Sequence, residues 1–284
     1  MMNDPILLNL KEIEEHISYT YLKQIKKIEI FEQIDSTNTY LTQRAMSSKT
    51  KQGEIYHQIR TECESGIYIC LAEQQTGGKG RLGRQWFSPF GANIYLSILW
   101  PFARGVGSLA GLSLVVATVI IDTLHSLGVE DVGLKWPNDV LWQGRKLAGV
   151  LVEIVGEAYG INNAVIGVGL NVNMPIAAEK VIDQSWVDLH RIMGKLFNRN
   201  QLAGLLINQL VDKLGLFQQA GLAAFMQKCE QLDLCLNQPI CIVTPDGKVT
   251  GVARGIDEHG YLRLETQPGK IKIFPAGEIS LRQY

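Results

Sequence analysis

"GGKGRLGRQW", residues 77–86, packs four glycines and three basic side chains (Lys79, Arg81 and Arg84) into ten positions. Glycines let backbone amides approach an anion closely, and the cations neutralise its charge. The segment reads either as such a cradle or as an exposed basic hairpin. It is not a Walker A loop, which needs GxxxxGK[ST]. The match of Gly78, Gly80 and Gly83 to GxGxxG is weak. A dinucleotide site expects an acidic residue about twenty positions further on, and the residues around Pro101 supply none.

Working outward, "GIYICLAEQQ" (66–75) reads as a strand entering the segment and "ANIYLSILW" (92–100) as the next strand. Upstream, residues 6–27 read as a short helical lead and Ile28–Ile34 as a short strand. Ser36, Thr37 and Asn38 then sit where a helix should start. Downstream, Leu109, Leu112, Val116, Val119, Ile120, Leu124 and Leu127 fall at helical spacing over 107–127, and Gly128 ends the helix. "VGLKWPNDVLWQGRKLAGVLVEIV" (132–155) gives a strand, a turn, a hairpin at Gln143–Gly144 and a second strand. "NAVIGVGLNVNM" (163–174) gives another. Residues 175–188 read as an irregular polar loop, 189–193 as a short turn, and 201–229 as one or two helices. Beyond Pro239, short strands alternate with turns at Asp246-Gly247 and His259-Gly260. That spacing predicts a small β-barrel of about five strands over 236–284. The body before it lacks a βαβ rhythm, so the class is α+β.

The 284 residues suit one large domain, or a domain with a small partner. Hydrophobic content of 46% with 19% charged residues excludes a disordered chain. With 27 basic against 28 acidic side chains, nothing in the charge supports generic nucleic-acid binding. Five cysteines show no CxxC pair and no zinc spacing. They predict buried free thiols in a reducing, cytoplasmic compartment. The first residues lack the basic n-region of a signal peptide. The apolar stretch 109–121 is stopped by Asp122 and reads as too short for a bilayer, so no membrane is expected.

"KWPND" (135–139) places Lys135 and Asp139 around a proline turn, and "RKLAG" (145–149) places Lys146 beside a small-residue strand. A carboxylate near several cations suits an anionic intermediate with an incoming amine or a bound metal. Taken singly, Lys135 reads equally as surface charge and Asp139 as a turn cap. Trp86 and Trp136 read equally as core or as ligand platforms.

Taken in order, "DSTN" (35–38), "AEQQTGGKGRLGRQWFSPFGANIYLS" (72–97), "KWPNDV" (135–140), "RKLAGVLVE" (145–153), "IGVGLNVN" (166–173) and "AGEISLR" (276–282) resemble the biotin protein ligases. The resemblance runs from about residue 28 to the end. It implies a lead over 1–27, a mixed-sheet catalytic domain of the biotin/lipoate ligase type over 28–235, and an SH3-like β-barrel over 236–284. It implies a two-step, ATP-dependent reaction. Biotin carboxylate attacks the α-phosphate of ATP, giving biotinyl-5′-AMP and pyrophosphate. A lysine of the biotin carboxyl carrier protein of acetyl-CoA carboxylase then attacks the mixed anhydride and releases AMP. Mg2+ accompanies the ATP.

By position, the resemblance assigns Ser36, Thr37, Asn38 and Gln75 to the biotin ring and its surroundings. Gly78, Lys79, Gly80 and Arg81 fold over the biotin chain and acyl phosphate, with Arg84 and Trp86 following toward the adenylate. Lys146 contacts the activated acyl group and phosphate, and Gly149 and Leu151 form the pocket wall. Asn171 lies near the ATP phosphates and magnesium, and Trp186 sits in a loop that orders around adenine. Asp139 orients or deprotonates the acceptor lysine. The catalytic set is Lys146, Asp139, Arg81 and Lys79. Lys79 is a departure: the family motif reads GRGRxGR, and lysine lacks the arginine fork. The glycine content further predicts that 77–86 is disordered without ligand.

A lipoate–protein ligase shares the fold and the acyl-adenylate logic, but not the linked motifs. A biotin-adenylate-binding regulator with slow transfer is the non-enzymatic reading. Some members carry an N-terminal helix-turn-helix domain. The residues before position 28 are too few for that unit, so DNA binding is not expected. Members often pair through the catalytic sheet, which makes a homodimer compatible. "GRKLAGVLVEIV" (144–155) reads either as such an edge or as ordinary core strand.

Overall fold

The computed structural model describes residues 6–50, 66–103, 105–156, 162–245, 247–276 and 280–283. Among them, β1 (Ile25–Ile34), β2 (Ile67–Gln75), β3 (Ile94–Phe102), β4 (Val132–Lys135), β5 (Asp139–Trp142), β6 (Arg145–Val155) and β7 (Asn162–Leu170) form one sheet. Its order is β1-β2-β3-β7-β6-β5-β4. β1 and β2 run parallel, and every other neighbour pair is antiparallel. This is the mixed sheet expected from the sequence.

The strands alternate faces. Ile94, Leu96, Ile98, Trp100 and Phe102 of β3 point into the main core, beneath α4 (Leu112–Ser126) and α6 (Arg199–Ala220), the latter following the short α5 (Leu189–Met193). Leu99 points the other way. With Cys70, Val155 and Val165 it packs against Leu41 and Ala45 of α3 (Thr37–Thr50). Burying each large aliphatic side chain contributes about 1.5–3 kcal/mol, so this alternation fixes the strand register.

The helical run Gly107–Ser126 is long and apolar enough, by composition alone, to cross a bilayer. That corrects the shorter estimate made from residues 109–121. The apolarity has a local reason: α4 packs against both the sheet and α6, and eleven of its residues are buried. The helical lead expected over 6–27 is instead two short helices, α1 (Leu10–Glu14) and α2 (Tyr19–Leu22), followed directly by β1. An ion pair in the core straps the front of the chain down. Arg199 Nη2 lies 2.7 Å from Glu73 Oε2, with both side chains about 5% exposed or less. Arg199 also donates to the Ile6 and Asn93 carbonyls, and Leu8 N–H donates to Glu73.

The second sheet comprises β8 (Pro239–Thr244), β9 (Gly247–Ile256), β10 (Leu262–Gln267), β11 (Lys270–Phe274) and β12 (Ser280–Gln283). Its order is β11-β10-β9-β8-β12. The closed SH3-like barrel expected over 236–284 is not formed. The sheet is open, with β11 and β12 at opposite edges and no pairing between them among the described residues. Turn spacing reports strand number and direction. Closure depends on first and last strands meeting with a matching stagger, which no local pattern encodes. Asp246 of the expected turn lies outside the described residues.

Cys70, Cys229 and Cys241 are buried free thiols, Cys235 is buried, and Cys63 lies outside the described residues. Burial pushes the Cys229 thiol up to about 12, with nearby Asp233 adding to it.

Candidate active site

The site begins with missing side chains. β6 and β7 pair Gly149 with Gly169 and Leu151 with Gly167, on the face that α3 covers. A Cβ on Gly169 would strike Trp86 Cε2 and stand 2.6 Å from its Cζ2 and 2.7 Å from its Nε1, and one on Gly149 would meet the indole at 3.1 Å. A Cβ on Gly167 would strike the Asn38 carboxamide. The two strands therefore make a bare floor, with Trp86 and Asn38 lying on it. The Trp86 Nε1–H is buried without a hydrogen-bond partner. An unpaired buried donor costs about 1–3 kcal/mol, which an acceptor on a ligand would recover.

A polar wall closes one end. Ser36, Thr37 and Asn38 are buried at the start of α3. Ser36 Oγ accepts from Thr39 N–H at 3.4 Å, which caps the helix. Thr37 N–H donates to Gln75 Oε1 at 2.9 Å, and Gln75 Nε2 donates to Ser88 Oγ at 3.0 Å. Ser97 Oγ lies 2.7 Å from Thr37 Oγ1 and 2.6 Å from Asn38 Oδ1.

Residues 77–86 form the lid side. Gly80 N–H donates to the Arg84 carbonyl at 2.7 Å and Trp86 N–H to that of Gly78 at 2.9 Å, making a small hairpin. Leu82 and Gly83 turn its tip at φ 58° and 71°. At Gly78 a Cβ would meet the Trp86 carbonyl at 2.5 Å, so glycine is required there. In the structure the segment is a hairpin held by these backbone bonds. Arg81 points inward, donating to Asn138 Oδ1 at 3.2 Å and to the Ala276 carbonyl. Burial pulls its guanidinium below the usual value; Asp139 opposes that shift and Arg84 adds repulsion. A partly desolvated cation beside another cation gains strongly from an arriving anion. Lys79 and Arg84 themselves lie on the exposed rim.

The cationic mouth is completed by the β5–β6 hairpin. Its turn, with Gln143 and Gly144 at φ 46° and 77°, brings Lys146 back beside Asp139. Lys146 Nζ lies 2.7 Å from Asp139 Oδ1, both partly buried, and 5.4 Å from the Trp86 ring centroid. Asn171 Nδ2 donates to the Lys146 and Val187 carbonyls at 3.3 and 3.1 Å. Its amide hydrogens thus staple the 185–187 segment to β6, and its Oδ1, which only accepts, is left for a donor such as water. The Trp186 backbone bridges to Lys146, while its ring packs with Met174 and Ala178 and under the Arg191 guanidinium at 4.2 Å. Trp136 is core, and its Nε1 donates to the Gly260 carbonyl at 3.0 Å. Among the described residues no three His, Cys, Asp or Glu side chains gather as a metal cage. Cavities of about 220 and 360 Å³ open elsewhere in the molecule.

Sequence reading missed Ser97, Ser88, Asn138 and Glu153. Asn138 lies inside the quoted "KWPND", and Glu153 is the one acid of β6, which is a usable signal. Ser97 and Ser88 become visible only once the register places them against α3 and Gln75.

Residues 30–171 match the Biotin/lipoate A/B protein ligase family, and residues 235–282 match the Biotin protein ligase C terminal domain. The bifunctional ligase/repressor BirA of Escherichia coli is 43% identical over 249 residues, spanning 88% of this chain and 72% of that protein. A biotin–[acetyl-CoA-carboxylase] ligase of Mycobacterium tuberculosis is 30% identical over 261 residues, spanning 89% of this chain and 88% of that one. The solved biotin protein ligase from Aquifex aeolicus, in complex with biotin and ATP, aligns with a TM-score of 0.72 at 27% identity. That alignment covers 92% of this chain and all of that one (100%).

Proposed function

The chain belongs to the biotin/lipoate A/B protein ligase family and is an ATP-dependent biotin–protein ligase; from that premise we propose how its residues divide the work. The observation that carries the proposal is the groove's polarity. Its inner wall is hydrogen-bonding, its floor is glycine and leucine, and its mouth holds Arg81, Lys146 and the unpaired Trp86 Nε1–H. Biotin has the same order: a neutral ureido head, an apolar body and chain, and a carboxylate tail. Thr37, Asn38 and Gln75 meet the head, while Gly149 and Leu151 line the body. Lipoate, with an apolar dithiolane head, leaves the wall unanswered. Sites built to hydrogen-bond a substrate discriminate against such analogues by roughly 10⁴-fold.

In the first step a biotin carboxylate oxygen bonds to the α-phosphorus and pyrophosphate leaves. Negative charge grows on the phosphate oxygens during attack. Arg81 and Lys146, the latter once turned from Asp139 toward the phosphate, stabilise that state more than the ground state. The 77–86 hairpin and Trp86 shield the anhydride from water. Mg2+ fits this site as the companion of the ATP phosphates, which with water supply most of its ligands. When bound, it supplies charge neutralisation on the departing pyrophosphate. Asn171 Oδ1 is the group that would face its hydration shell.

In the second step a carrier lysine attacks the acyl carbon and AMP leaves. Only the neutral amine attacks, and a free lysine has a pKa of about 10.4. Asp139 holds the incoming ammonium and accepts its proton locally. It becomes available when Lys146 turns from its 2.7 Å ion pair toward the phosphate. The acceptor is a biotin carboxyl carrier domain, that of acetyl-CoA carboxylase being the instance supported by the mycobacterial relative's name. The buried free thiols of Cys70, Cys229 and Cys241 suit the reducing cytoplasm as the compartment.

The test is to incubate the chain with MgATP, biotin and an apo-carrier domain and locate the modification by mass spectrometry. One biotinyl group on a single carrier lysine, with no product from lipoate, is expected. Modification by lipoate alone would overturn the assignment, as would none with folded protein.

A further inference from the structure

Glu153 has no part in the chemistry above, yet it is bonded to the wall that meets the biotin head. It lies on β6 opposite Val165, two residues past Leu151 on the same face, and accepts from Asn38 Nδ2 at 2.8 Å. We propose that Glu153 is a positioning residue for biotin recognition, fixing which way round the Asn38 carboxamide is held. Through Asn38 it then sets the direction of the hydrogens along the wall. This deepens the biotin reading of the groove and rests on it.

The direction follows from donor and acceptor counts. A carboxylate only accepts, so Asn38 must present Nδ2 to Glu153, which turns Oδ1 toward Ser97. Oδ1 only accepts, so the single Ser97 hydroxyl hydrogen is spent there, at 2.6 Å. Toward Thr37 Oγ1, 2.7 Å away, Ser97 can then only accept. At the other end, Gln75 Oε1 accepts from Thr37 N–H at 2.9 Å. Gln75 therefore turns Nε2 to Ser88, whose hydroxyl donates to the Trp86 carbonyl at 2.9 Å. One freedom remains: the Thr37 hydroxyl hydrogen goes to Ser97 Oγ or to Gln75 Oε1, 3.1 Å away. The wall therefore shows a ligand acceptor lone pairs near Ser97 and Thr37 and an amide donor at Gln75. That pattern complements a ureido group, which carries both N–H and C=O. Without an anion at 153, nothing prevents the Asn38 amide from reversing, and Ser97 would then face a donor.

The experiment measures biotin-dependent pyrophosphate–ATP exchange in the unaltered chain and in Glu153→Leu, Asn38→Asp and Asn38→Asp/Glu153→Gln. Glu153→Leu is expected to raise KM for biotin about tenfold with kcat within about twofold, since one directed hydrogen bond is lost. Asn38→Asp, with two carboxylates face to face, is expected to raise it at least as much. The double variant rebuilds the same hydrogen pattern, with the new carboxamide at position 153 donating and the new carboxylate at position 38 accepting from Ser97. It is expected to return KM to within about threefold of the unaltered chain. If the unaltered chain is active but Glu153→Leu keeps its KM, or the double variant is no better than Asn38→Asp, the inference fails alone. If the unaltered chain shows no biotin-dependent exchange, the biotin reading fails and takes the inference with it.

Discussion

Replacing Gly169 by alanine adds one methyl group to the floor of the groove. That methyl would stand 2.6 Å from Trp86 Cζ2 and 2.7 Å from its Nε1, where ordinary packing begins at 3.4 Å. It would also strike Trp86 Cε2, and relieving all three contacts shifts the ring by about 1 Å. The sheet will not yield, because β7 is paired along its length on both sides. The 77–86 hairpin is held by a few backbone bonds and will. Stability should therefore change by less than the roughly 1–3 kcal/mol of a true overpacked core. Activity should fall much further. A displacement near 1 Å of a group that aligns reactants costs about 10²-fold. We expect kcat/KM for biotin to drop by an amount approaching that figure, with a melting temperature within a few degrees of the parent. The assay is steady-state pyrophosphate exchange beside a thermal melt. Unchanged kcat/KM in a folded Gly169→Ala protein would refute the placement of Trp86 on the reacting end of the groove.

Asp139→Asn should slow transfer to the carrier by about 10²-fold or more, while leaving adenylate formation closer to normal. Single-turnover measurement of the two halves separates these rates. Arg199→Met removes one partner of the buried pair with Glu73 and should destabilise by about 3–5 kcal/mol in denaturant titrations. Asp233 titrates above its usual range because burial disfavours its charge; Cys235 and Leu236 N–H oppose this and Glu230 adds to it. The folded state then holds the proton more tightly than the unfolded chain. That contribution is fully present below the ordinary aspartate value of about 4 and is lost as pH rises through the folded value. Asp233→Asn should thus melt higher than the parent at neutral pH, with the difference vanishing in acid. A pH-independent difference would count against it.

The parts of the fold readable in the sequence were those with a local period. The spacing of apolar residues over 109–127 announced α4, and the apolar run 92–100 announced β3. The site motifs were readable as residue types with a common chemistry. What stayed hidden depends on register or on distant partners. Gly149 and Gly169 matter as a pair only because β6 lies against β7 in that register. The strap at the front of the chain needs Glu73 and Arg199, far apart in sequence, to meet in the core. Ser97 and Glu153 read as ordinary strand residues until α3 is laid across them. Asn171 was legible as a polar residue at the end of a strand, but not as the clamp its two donated bonds make it. Openness of the C-terminal sheet was likewise invisible, because its edges are set by pairing and not by turn spacing.

Pyrophosphate–ATP exchange, run with and without biotin, addresses the central claim most directly, because it isolates adenylate formation from any carrier. The account predicts exchange that requires biotin, is not supported by lipoate, and collapses in Lys146→Ala. Exchange that proceeds without biotin, runs equally with lipoate, or survives loss of Lys146 would contradict it.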